Sequence, residues 1–487
     1  MATRKEFNYI RGMSSGNYDV DLSNIKSGET FPSNEVRGRN RVYRYNKSLY
    51  DGTYSQNKNL VAMIDDSYRE INFKVLPMNY FKLVVSKIDS LLFSNEININ
   101  TGNFELDNIV NKLVERTHWV SSIRRAVRYA EIYGDACMKT YRNGVSVVKP
   151  TECYKVVNEH NKDEVRCYVL REILYERINN KREASKIRLL IVGKGFEYER
   201  VYEYDGNDYC GKLGKPVRYK YNNRWIPKDG LYTWTHIKDA ETVQWLSVNI
   251  EKDGVYGTSS FEDIKDLVLA IETRLSTENW ILDAHGKPLL LVGMSSLKTD
   301  ETTGQLYLSV VNGKYMVDRG GDLKPEYLTW DGKLEESANV REALMQGFYE
   351  LSELGKTFLS GEYTGNVSEE SLNNIIKSAI DRGNRELNDF WYEIRKSLYV
   401  LCRLNDIDVS LEDINIDFNI GRSDDNNVVA NVCETLSNNG LFSKRTLLKK
   451  FWRYNDDDVD KEFELMAKES EVGTDDKLDN NDSIPTD

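Results

Sequence analysis

Two hydrophobic rhythms alternate along the chain. "MNYFKLVVSKIDSLLF" (78–93) sets Phe81, Val84, Val85, Ile88, Leu91 and Leu92 three and four residues apart, which is the spacing of one helix face. "IVNKLVERTHWVSSIRRAVRYAEIYG" (109–134) keeps the helical beat and ends at Gly134, a natural helix stop. Before these, residues 1 to 58 are polar and Gly/Asn-rich and predict irregular chain with short helices. From 137 to 250 the rhythm shifts. "CMKTYRNGVSVVK", "VRCYVLREILYER", "KIRLLIVGKGFEYERVYEY" and "VRYKYNNRW" are rich in Val, Ile and Tyr with partial alternation, which predicts a mainly antiparallel β region.

The helical rhythm returns at 257–283, where Phe261, Ile264, Leu267, Val268, Ile271 and Leu275 form one stripe. Ser259 and Glu262 stand at capping-box spacing. Short strands are expected over 287–330, with Asn312-Gly313 between apolar runs. That dipeptide favours a hairpin, because a type I′ turn needs positive φ at both central residues. Val340, Leu344, Phe348, Leu351, Leu354 and Phe358 then share a face, with Asn339 and Glu342 placed to cap its start. After a Gly/Ser/Asn-bearing stretch, "FLSGEYTGNVSEESL" (358–372), a helical beat runs over 368–403. A strand (413–421) and helices (426–438 and 443–452) close the pattern, and the fold class is α+β.

Composition narrows the function. The 487 residues are 40% hydrophobic and 30% charged, as in a globular chain. The longest apolar run, "PLLLVGM" (288–294), is too short to span a membrane, and the N-terminus has no apolar segment of the kind a signal peptide needs. Six scattered cysteines without a C-x-x-C pair read as reduced thiols. The net charge of −12 is uneven: residues 1–58 hold ten Lys/Arg and six Asp/Glu, and residues 455–487 hold three Lys and thirteen Asp/Glu. The last stretch has the composition of a disordered acidic tail.

Candidate chemistry is thin. "GMSSG" (12–16) matches the G-x-S-x-G nucleophile elbow around Ser14. The elbow needs a buried strand before it, and "EFNYIR" is too short and polar for one. "GKT" (355–357) lacks the first glycine of a phosphate loop, since position 350 is Glu350. His118, His160, His236 and His285 form no metal-ligand spacing. "NDDDVD" (455–460) lacks the spacing of a calcium loop. "LEDINID" (411–417) alternates as a half-buried strand does. No catalytic set, metal or cofactor is expected.

Several stretches together resemble the portal proteins of tailed bacteriophages, in the large family like those of siphophages of Gram-positive bacteria. "RVYRYNKSLYDG" (41–52) resembles that family's Arg-x-x-x-Tyr-x-x-Gly front, and "RYAEIYGDACMKTYRNG" (128–144) its Ala-x-Ile-Tyr-Gly-x-Ala segment. "NYFKLVVSKIDSLLFSNEINI" (79–99) resembles a family helix, with Phe93, Ser94 and Glu96 where glycine and proline are usual. "NIEKDGVYGTSSFEDIKDLVLAIETRLS" (249–276) resembles the approach to the first stem helix, and "NNGLFSKRTLLKKF" (438–451) a turn near the end.

The resemblance implies a non-enzymatic ring, usually of twelve copies, at one head vertex. Double-stranded DNA passes through it without sequence preference. A terminase motor and then a head–tail adaptor dock on it, beside major capsid and scaffolding proteins, in the virion and, during assembly, in the host cytoplasm. It implies a wing (1–256 and the long helix 370–410), stem helices (257–284 and 339–358), a clip (285–338), a tunnel loop (359–369), a crown (411–465) and an acidic tail (466–487). Ser360, Gly361, Glu362, Tyr363, Thr364, Gly365 and Asn366 would face DNA. Ile264, Leu267, Ile271, Phe348, Leu351 and Leu354 would pack the stem, and Asn312 and Gly313 would turn the clip hairpin. A loop without Lys or Arg suits a conduit, because each phosphate contact adds salt-dependent drag. The alternatives are another ring-forming head–tail or baseplate protein, and a serine hydrolase using Ser14.

Overall fold

The computed structural model describes residues 30–32, 34–54, 76–157, 164–178, 181–235, 237, 239–250, 256–285, 289–293, 298–299, 306–307, 315–318, 326–328, 334–360, 376–420, 434, 437, 443–451, 459–460 and 462–466. Strand β1 (Thr30–Phe31) leads into helix α1 (Asn34–Asp51), then α2 (Tyr80–Phe93), β2 (Asn98–Asn100), α3 (Phe104–Thr117) and α4 (Trp119–Tyr133). Eleven strands follow: β3 (Asp135–Tyr141), β4 (Gly144–Val148), β5 (Cys153–Val157), β6 (Val165–Ile178), β7 (Lys181–Gly193), β8 (Phe196–Gly206), β9 (Gly211–Pro216), β10 (Tyr219–Tyr221), β11 (Arg224–Ile226), β12 (Leu231–Trp234) and β13 (Val243–Ser247). Helix α5 (Lys265–His285) precedes the short strands β14 (Leu289–Gly293), β15 (Lys298–Thr299), β16 (Leu306–Tyr307), β17 (Tyr315–Asp318) and β18 (Glu326–Leu328). Helices α6 (Leu334–Leu351), α7 (Lys356–Ser360) and α8 (Lys377–Leu404), strand β19 (Asn415–Asp417) and helix α9 (Lys444–Phe451) complete the order. Helix and sheet are mixed, as α+β predicts.

The chain divides into two compact units. The first, residues 1–100 and 110–420, holds an antiparallel sheet in the order β1-β9-β8-β7-β6-β5, with β12 also on β8. Side chains alternate across it. Ile187, Leu189 and Ile191 join Phe196, Tyr198 and Tyr202 in one buried cluster. Leu190 and Val192 face the other way, onto Cys137, Val243 and Trp245. Both faces of the middle strands are covered, which is why "KIRLLIVG" reads as an almost unbroken apolar run. The second cluster belongs to the small sheet β13-β3-β4. Helix α8 buries Phe390, Ile394, Leu398 and Leu401 completely, and its Ser397 accepts from the Trp119 indole at 3.0 Å.

The second unit comprises residues 101–109 and 421–487. Asp107 accepts from the Thr101 amide at 2.6 Å and its hydroxyl at 2.7 Å. Ser443 caps α9 by accepting from the Thr446 amide at 3.2 Å.

Several expectations shift. Residues 34–51 form an 18-residue helix where irregular chain with only short helices was expected. The helical run at 109–134 is two helices, α3 and α4, broken where His118 takes φ 50°. The stop at Gly134 stands, with φ 96° and its amide donating to Ala130 O at 2.7 Å. Helix α5 starts at Lys265, not 257. The amides of Gly257, Thr258 and Ser260 donate instead to Asp135, Val248 and Glu131, so that stretch cannot coil. Helix α6 begins at Leu334, which puts Asn339 inside the helix instead of at its cap. It ends at Leu351, because Glu353 and Gly355 take left-handed φ of 55° and 70° before α7. Strand β19 covers only Asn415–Asp417 and pairs with β2. Ser14, Asn312 and Gly313, residues 361–366, and most of the helix expected at 426–438 lie outside the described residues.

Candidate functional site

Helices α5 and α6 lie side by side. A Cβ on Gly347 would sit 3.4 Å from Leu267 Cδ2, so α6 passes at contact distance from the half-buried Leu267. At the far end, Glu278 pairs with Arg341 and accepts from Ser337 Oγ at 2.7 Å. Ile264, Ile271, Phe348 and Leu354 are buried. Phe348 stacks obliquely on Tyr80 at 5.3 Å, and Phe261 on Phe81 at 5.0 Å, which fixes the pair to α2. Leu351, by contrast, is 54% exposed in the single chain. Glu272, fully buried on α5, accepts from the Met78 amide at 2.7 Å. Burial pushes its carboxyl up to about 7, against the pull of that amide.

The elements on either side of residues 361–375 are tied by one buried arginine. Arg382, near the start of α8, donates to Glu386 at 2.8 Å, to Ser260 O at 2.8 Å and to Ser352 O. It therefore binds the approach to α5, the α6–α7 break and α8 itself. Burial works to lower its pKa, but the Glu386 charge and hydrogen bond raise it above the ordinary value. Burial raises the Glu386 carboxyl despite Arg382, and burial with the Glu386 charge holds that of Glu131 well above its usual range. Sequence reading missed this cluster. The signal was two polar residues on an apolar stripe, for Arg382 and Glu386 fall in step with Ala379 and Phe390. On the far side of the break, Leu359 of α7 is buried, and Phe358 lies 5.5 Å from the Lys87 ammonium. Ser360 closes α7.

A second buried anchor joins three of the stretches singled out in the sequence. Asp135 is fully buried. One carboxylate oxygen accepts from Tyr43 Oη at 2.7 Å and Arg39 at 3.0 Å. The other accepts from Ser247 Oγ at 2.6 Å, the Gly257 amide at 2.9 Å and the Trp245 indole at 3.1 Å. Arg39 also reaches Gly257 O. Two glycines permit the crossing: a Cβ on Gly134 would lie 2.7 Å from Gly257 O, and one on Gly257 2.3 Å from Gly134 O.

Nothing in this arrangement is a catalytic set. Among the described residues no cluster of His, Cys, Asp and Glu could hold a metal, and no helix is long and apolar enough to cross a membrane. What the geometry offers is a braced pair of long helices with strands between them. Residues 39–474 match the family described as "Phage portal protein, SPP1 Gp6-like". The chain belongs to that family of phage portal proteins. No curated protein matches it. Among solved structures it is similar to a chain of "Neck of empty GTA particle computed with C6 symmetry", at 10% identity and a TM-score of 0.39, over 78% of this chain and 91% of that one.

Proposed function

We propose that the chain is the portal subunit of a tailed phage. Copies form a closed ring at the unique head vertex, through which double-stranded DNA enters and leaves. The observation that carries this reading is the family match over residues 39–474. Heterologous contacts that close on themselves make such rings.

In this reading residues 257–284 and 339–358 form the stem, 285–338 the clip, 359–369 the tunnel loop, 411–465 the crown, and 1–256 with 370–410 the wing. The motor and then the head–tail adaptor dock at the clip, and the role is structural, not enzymatic. The exposed Leu351 suits a contact between copies, whereas Ile271, Phe348 and Leu354 brace the single chain. Glu362 and the neutral residues around it leave the channel without a phosphate clamp.

Electron microscopy of purified protein tests the ring directly: a monomer or dimer under folding conditions contradicts it. Leu351→Asp should then abolish rings while leaving the subunit folded, whereas Leu267→Asp should also unfold the stem. For the loop, Glu362→Lys with Asn366→Lys should slow packaging most at low salt. Packaging equal to wild type there would remove the loop from the DNA path.

A further inference from the structure

The β10–β11 hairpin lies in a basic stretch of an acidic chain. Residues 211–234 hold six Lys/Arg (Lys212, Lys215, Arg218, Lys220, Arg224, Lys228) and one acid, Asp229, a local +5 in a chain of −12. The hairpin is tight. Asn222 and Asn223 both take positive φ, 45° and 64°, so a two-residue turn of the kind that stiffens hairpins joins the strands.

Its two faces differ. Tyr219, Tyr221 and Ile226 turn inward: Ile226 is fully buried, Tyr221 donates to Glu172 at 2.7 Å, and the guanidinium of Arg188 lies 4.3 Å from the Tyr221 ring. The nearby acids are already engaged, because Glu199 pairs with Arg188 and Arg224, and Glu172 with Arg188. By strand alternation, Arg218, Lys220 and Trp225 share the outward face, with Lys220 directly opposite Trp225. Trp225 is 53% exposed, and the Arg218 guanidinium sits 4.4 Å from its ring.

We propose that this hairpin takes phosphates of duplex DNA on Arg218 and Lys220, a contact that residues 359–369 lack the Lys or Arg to make. The proposal rests on the portal reading, which is what brings duplex DNA to every copy of the chain. An acidic protein segment is the rival ligand. An apolar anchor for such a segment would need a bare ring, but the Trp225 face carries a guanidinium, which makes the ring a platform that fixes a charge. The outward face itself carries no acid. Twelve copies, if the ring has that number, would multiply a weak single contact.

The test is binding of a short labelled duplex of arbitrary sequence to the full-length protein, read as a function of salt, with ring formation scored by electron microscopy. Arg218→Glu with Lys220→Glu should weaken binding per site by roughly 60-fold at about 0.1 M salt and flatten the log–log salt slope by about 1.8, since each lost phosphate contact forgoes one released counterion. Arg218→Gln with Lys220→Gln should act in the same direction, and Arg218→Lys with Lys220→Arg should bind as wild type does. Unchanged affinity in the Glu and Gln pairs, with rings intact, overturns the proposal. Loss of rings in both pairs also overturns it, because the hairpin is then a contact between copies. Binding of a Glu- and Leu-containing acidic peptide in place of duplex by wild type overturns it in favour of a protein partner. Absence of rings from the wild type overturns the portal reading itself, and the proposal with it.

Discussion

Replacing Arg382 by Met asks whether the junction of the α5 approach, the α6–α7 break and α8 is held by one side chain. The guanidinium makes three hydrogen bonds, to Glu386, Ser260 O and Ser352 O, in a site where its side chain is 6% exposed and that of Glu386 2%. Methionine fills much of the same volume, so the loss is electrostatic. It strands the Glu386 carboxylate and leaves two carbonyls without their donor. Breaking a buried pair on one side costs about 3–5 kcal/mol, and the carbonyls add to this less than additively, so we expect a loss of about 4 kcal/mol in unfolding free energy.

The pH dependence follows from the same carboxyl. Burial already raises Glu386 with Arg382 in place, and without the arginine it should rise further. A carboxyl raised in the folded state stabilises when protonated and loses that contribution as pH rises through its folded pKa. The deficit of Arg382→Met should therefore shrink on acidification. Adding Glu386→Leu should recover about half of the loss, because no carboxylate is then left unpaired. Urea unfolding followed by tryptophan fluorescence gives the double-mutant cycle, and hydrogen exchange should show α7 opening faster in Arg382→Met. A cost under about 1 kcal/mol, or a double mutant as unstable as the sum of the two singles, would refute the reasoning.

Three further outcomes are expected. Glu272→Gln should remove a pH-dependent loss. The wild-type carboxyl, at about 7 instead of its usual 4.5, stabilises while neutral and loses that stability as pH climbs through 7. The variant should then be more stable by about 3 kcal/mol near pH 8 and nearly equal near pH 4; parallel melting curves across that range would contradict this. Asp135→Asn should cost about 3 kcal/mol, because an amide cannot accept all five donors and leaves Arg39 without its counter-charge; an unchanged melting temperature would show the network to be dispensable. Gly257→Ala should lower the yield of soluble protein sharply, since its Cβ would meet the Gly134 and Val248 carbonyl oxygens at 2.3 and 2.4 Å, and backbone on both sides cannot yield. Wild-type yield and stability would show that the crossing can open.

The sequence by itself determined the elements whose cause is local. The stripe of Phe81, Val84, Val85 and Ile88 makes α2 wherever it lies, because periodicity is a property of the chain. The change to Val, Ile and Tyr after residue 137 makes strands for the same reason, and Gly134 stops α4 by its own conformational freedom. The family was legible too, from short stretches around Tyr43, Gly134 and Gly257. What joins those stretches was not: Asp135 draws donors from residues 39 to 257, and no local pattern states that distance. The start of α5 was misread for a related reason. Ser259 and Glu262 have the spacing of a cap, and their side chains do approach at 3.4 Å, but the amides of residues 257, 258 and 260 are claimed by partners far away in sequence. The break after Leu351 and the burial of Arg382 were likewise tertiary decisions. An apolar stripe tells a helix which face to bury, but whether a charge on that stripe is tolerated depends on a carboxylate and two carbonyls that only folding brings to it.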